Sequence, residues 1–160
     1  MSGRARLASL VVVALACAAC GDEVDRTRAV TPAGTVSDAS IEIVVCNSNY
    51  QRQLSFTLAA RADLTATTAA IDGLPLGDDA VMPVNVLIPE GHAYVVRCVD
   101  TLQLGGSSTE SSGTARVGLT LVAAGKSHLA SLDAPFSGGM QAFDNCGNVL
   151  APDGCTLKDP

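Results

Sequence analysis

Apolar and polar residues alternate with a period of two through most of the chain beyond residue 40, which predicts strands. Ile41 to Cys46 is rich in β-branched residues and ends in an Asn47-Ser48-Asn49 turn. From Gln53 to Ala60, Leu54, Phe56 and Leu58 alternate with Ser55 and Thr57. Val84, Val86 and Ile88 then alternate, Pro89-Glu90-Gly91-His92 turns the chain, and Tyr94, Val96 and Cys98 alternate back. That pattern predicts a hairpin whose second strand runs on toward Leu104. Gly105 to Gly113 reads as a mobile tip. Beyond it Ala115, Val117, Leu119, Leu121 and Ala123 share one face, opposite Arg116 and Thr120. The turn Ala124-Gly125-Lys126-Ser127 leads into a strand over His128 to Asp133, and a last weak strand falls near Met140 to Phe143. Ala59 to Ala70 is alanine-rich, but Thr65, Thr67 and Thr68 lower its helix propensity. It reads as an irregular connection with one helical turn. The sum is an all-β fold, a single small antiparallel β-sandwich of about seven strands. A doubly wound sheet would need helical segments between the strands.

The first 21 residues follow another pattern. Arg4 and Arg6 precede an apolar run from Leu7 to Ala19, which is shorter than the ~20 residues of a membrane-spanning helix. A small-residue stretch ending in cysteine closes it. This is the layout of an export signal over residues 1–19. Its end resembles the lipobox of bacterial lipoproteins, with two candidate cysteines. Cys17 follows Ala14-Leu15-Ala16, and Cys20 is followed by Gly21-Asp22-Glu23. Cysteine arithmetic favours Cys20, because Cys46, Cys98, Cys146 and Cys155 then remain as an even set. The alternative, Cys17, leaves Cys20 as an odd thiol in an oxidising compartment. The resemblance implies three acyl chains on the cysteine, hence firm attachment to membrane lipid. In that family an Asp after the cysteine often marks inner-membrane retention, so Gly21 points to the outer membrane. Residues 20–40 are polar and mixed in charge, and read as the lipidated cysteine with a flexible tether of ~25 Å reach. Residues 41–160 are read as the β-sandwich domain.

Composition narrows the partners. The chain has 160 residues, 48% of them hydrophobic and only 3% aromatic, so its core must be built from Val, Leu, Ile and Ala. Net charge is −6, and loss of Arg4 and Arg6 with the leader makes it −8. No nucleic-acid partner is expected of such a chain, since phosphate binding needs clustered Lys and Arg.

The four remaining cysteines allow three pairings. The expected one is Cys46–Cys98, tying two strands through a loop of ~50 residues worth ~4 kcal/mol, with Cys146–Cys155 closing a turn-rich tail of ~10 residues worth ~2.7 kcal/mol. No cysteine pair has zinc-ligand spacing, and no metal or cofactor site is read. Gly125-Lys126-Ser127 lacks the earlier glycine of a phosphate-binding loop, Thr120 standing in its place. A Ser-His-Asp set can be drawn from Ser127 or Ser131, His128 or His92, and Asp133 or Asp100, but no G-x-S-x-G elbow is present. Asp78-Asp79 reads as a solvated turn. Asp144, Asn145, Asn148 and Asp153 offer oxygen ligands without EF-hand spacing.

Ile43 to Ser48, Pro89 to Val96, and Leu121 to Leu132 resemble segments of the uncharacterised immunoglobulin-like β-sandwich domains of secreted bacterial proteins. The resemblance implies a fold and carries no catalytic residue. The expectation is a membrane-anchored lipoprotein of the cell envelope, a non-catalytic binding or structural module with an envelope partner. An exported hydrolase and a calcium-stabilised adhesion module are the alternatives.

Overall fold

The computed structural model describes residues 25–46, 49–74, 81–103, 112–140 and 150–160. The leader, Cys17, Cys20, Asp78-Asp79, Asp144 and Cys146 lie outside them. Among the described residues all regular structure is β, in nine strands: β1 (Arg28–Val30), β2 (Gly34–Cys46), β3 (Asn49–Ala60), β4 (Leu64–Asp72), β5 (Val81–Ile88), β6 (Ala93–Gln103), β7 (Ser112–Ala123), β8 (Lys126–Met140) and β9 (Gly154–Lys158). Eight of them join one sheet in the order β5-β4-β7-β8-β2-β3-β6-β9, with β1 pairing off this path with β2, and the sheet is curled into a nearly closed, barrel-like form. The all-β reading stands. About seven strands become nine, in one continuous sheet, and one pairing, β2 with β8, is parallel.

Two of the predicted faces hold residue for residue. Leu54, Phe56 and Leu58 of β3 are buried, as are Ala115, Val117, Leu119, Leu121 and Ala123 of β7. Together with Ile41, Met82, Ile88 and Leu132 they fill an aliphatic interior. The β7–β8 hairpin closes through Ala124 and Gly125, both at positive φ (48° and 72°), the twist a two-residue turn requires.

The structure departs from the sequence reading at four places. Strands β1 and β2 begin inside the stretch read as a tether. Ala33, Val36 and Ala39 are buried there, and β1 lies against the first half of β2. The alternation was hidden by a bulge at Asp38 (φ 55°), which puts Val36 and Ala39 three residues apart on the same face. Ala59 to Ala70 is the end of β3, a bend and β4, with no helical turn. A second bulge separates its buried Ala66 and Ala69 in the same way. The predicted hairpin of β5 and β6 is not a hydrogen-bonded pair. β5 pairs with β4, and β6 pairs with β3 and β9. The turn itself is present, with Gly91 at φ 77° and the His92 amide donating to Pro89 O (3.2 Å). It carries the chain from one end of the sheet to the other, so Val84, Val86 and Val96 point into the shared core. Finally, the tail includes β9, which lies along the free edge of β6.

Candidate functional site

The densest chemistry lies where β3, β6 and the C-terminal segment meet. Residues Tyr50 to Gln53 of β3 are all buried, although three of the four are polar. Alternation sends Tyr50 and Arg52 to the interior side and Gln51 and Gln53 to the outer side.

On the inner side Arg52 is 1% exposed and pairs with Asp100, its register partner on β6. A charge so deeply placed is tolerable only when paired. Tyr50 is one register step further along. Among the described residues its buried hydroxyl has no hydrogen-bond partner. Burial raises the Tyr50 pKa above the ordinary 10.0, while the nearby Arg52 charge pulls it down.

On the outer side Gln51 is fully enclosed and its carboxamide makes four hydrogen bonds. Nε2 donates to Ala151 O (2.7 Å) and Thr101 Oγ1 (3.0 Å). Oε1 accepts from the Ala151 amide (3.0 Å) and from Gln53 Nε2 (2.8 Å). Gln51 thus grips both polar atoms of one backbone residue, as a neighbouring strand would. Arg97 donates to Gln53 Oε1, and Thr101 Oγ1 donates to Asp153 Oδ1 (2.6 Å). Beside this network is an open depression of about 250 Å³, lined by Arg97, Val99 and residues 151–156. The arrangement can hold an extended segment by hydrogen bonds and charge.

The cysteines correct the expected pairing. Cys98 is bonded to Cys155, so neither Cys46–Cys98 nor Cys146–Cys155 forms. The two residues are register partners on β6 and β9, with Cα atoms 4.0 Å apart. Once the tail is a strand against β6, Cys155 faces Cys98. Cys46 is also disulfide-bonded.

The residues of the hypothetical catalytic set are not brought together. His92 lies exposed in the β5–β6 turn, its Nδ1 3.1 Å from Glu90 O and its ring stacked on Tyr94. His128 is half-buried on β8. Among the described residues neither ring hydrogen-bonds a side-chain carboxylate or a serine. Asp100 is paired with Arg52 and Asp133 with Arg116 (2.8 Å), which also donates to Ser131 (2.9 Å). No group of three or more His, Cys, Asp or Glu among the described residues could hold a metal. Of the possible calcium ligands, Asp153 accepts from Thr101 and the rest lie outside the described residues.

Sequence reading passed over the Gln51-Arg52-Gln53 run. Its signal was available: three consecutive polar residues between Tyr50 and Leu54, inside a strand. Comparisons with family models, with curated proteins and with solved structures find no match.

Proposed function

We propose that the chain is an exported lipoprotein, acylated at Cys20 (Cys17 as the alternative) and held to the cell envelope, most simply at the outer membrane. Its β domain acts as a non-catalytic binding or structural module. The observation that carries this reading is the positive, apolar and cysteine-ended leader. The Cys98–Cys155 disulfide agrees with it, since such bonds persist in oxidising compartments. With Arg28 already in a strand, the seven intervening residues reach at most ~25 Å even at full extension. The domain therefore sits close to the lipid surface. The likeness to immunoglobulin-like sandwiches belongs to the same proposal.

The ion pairs of Asp100 and Asp133 favour a structural role for these acids over catalysis. Labelled palmitate and cell fractionation test the anchor. Wild-type protein is expected to carry label in the membrane fraction, and Cys20→Ser to be unlabelled and released. Label that persists in Cys20→Ser and is lost in Cys17→Ser moves the anchor to Cys17. An unlabelled wild-type protein in the cytosol contradicts the proposal.

A further inference from the structure

We propose that residues 150–158 are a redox-latched strap, fastened by Cys98–Cys155 and released from β6 by a dithiol reductant while the rest of the domain stays folded. Three observations carry this. The first is how little apolar packing holds the strap. No β9 side chain is buried, and Cys155 alone is even half-buried. What fastens it is the β6 ladder, the disulfide, and the Gln51–Ala151 and Thr101–Asp153 hydrogen bonds. Elements held mainly by exposed backbone bonds open locally at low cost.

The second is the unequal access to the two sulfurs. Cys98 is 0% exposed, whereas Cys155 is only half-buried. A reductant thiolate therefore enters at Cys155 Sγ. Cys98 leaves as a thiolate and takes up a proton. The second thiol of the reductant then attacks the mixed disulfide and frees Cys155. The protein gains two thiols, and the dithiol is oxidised to its own disulfide.

The third is position. β5 and β9 are the two ends of the sheet, and Cys155 Sγ lies 3.7 Å from Pro83 O across the seam. Release of the strap bares the β6 edge from Val95 to Val99, uncovers Gln51 and Gln53, and widens the seam beside β5. A freed edge next to donors that already grip a backbone residue is suited to an extended peptide.

Peptide-resolved hydrogen exchange on the full chain tests the latch. Wild-type protein treated with dithiothreitol is compared with untreated protein and with Cys155→Ser, which leaves the buried Cys98 sulfur in place and does not require reduction of the Cys46 disulfide. Both reduced and variant proteins are expected to exchange amides 154–158, and those amides of 95–99 that point to β9, about tenfold faster or more, with β7 unchanged. Brief treatment with glutathione is expected to leave a mixed disulfide on Cys155. Unchanged protection of 154–158 without the bond overturns the proposal. Equal loosening of β7 in Cys155→Ser does so too, since the bond would then staple the whole fold. A glutathione adduct on Cys98 refutes the route of entry.

Discussion

At Tyr50 burial favours the neutral phenol over the phenolate and raises its pKa. Its hydroxyl meets no partner among the described residues, so the native state lacks a hydrogen bond that the unfolded chain makes with water. Tyr50→Phe is expected to leave stability unchanged or to raise it by up to about 1–3 kcal/mol, measured by urea unfolding. The raised pKa also sets a sign. The native state binds the phenolic proton more tightly than the unfolded state, so this contribution is complete below the ordinary tyrosine pKa and is lost as pH rises through the native one. Stability is therefore expected to fall as pH climbs past about 10, and less steeply in Tyr50→Phe. Arg52 and Asp100 behave differently, because changing Asp100 takes an ionic partner away from a buried charge. Asp100→Asn is expected to cost about 3–5 kcal/mol in the same measurement. The double change Arg52→Met with Asp100→Leu is expected to recover most of that loss, since apolar residues suit the same interior.

The elements show where alternation is a sufficient guide and where it fails. β7 was legible because nothing interrupts its period of two, and β3 because Leu54, Phe56 and Leu58 keep in step. The first half of β2 and all of β4 were not, because a bulge in each shifts the buried set by one residue. The β5–β6 turn exposes another limit. Two alternating segments around a Pro-Gly turn look alike whether they pair by hydrogen bonds or meet through side chains across a core. The tail strand was hidden because Cys146 to Cys155 is full of turn residues and β9 has no alternating apolar face. The candidate site was partly legible, in that Gln51-Arg52-Gln53 interrupts an apolar strand. Its partner Ala151 is 100 residues away, and no local pattern gives that contact. The parallel pairing of β2 and β8 depends on Gly138 (φ 127°), where an added Cβ would fall 1.9 Å from Ile43 O. Gly138→Ala is expected to destabilise by at least about 2 kcal/mol, and thermal unfolding checks it.

For the whole molecule, nine strands wrap an aliphatic core and an edge strand is cross-linked to its neighbour. With only 3% aromatic residues and no Trp, the interior relies on many small contacts, and the disulfides supplement it. The early start of β1 brings the folded part close to the proposed anchor, so attachment and fold are separated by only seven residues. The central claim is that the leader is removed and the new N-terminal cysteine is acylated. Intact-mass and N-terminal peptide mass spectrometry of protein extracted from membranes tests it most directly. The expected result is a chain beginning at Cys20, with residues 1–19 absent and acyl groups on that residue. A chain that still carries Met1, or one trimmed near residue 20 without any acyl mass, would contradict it.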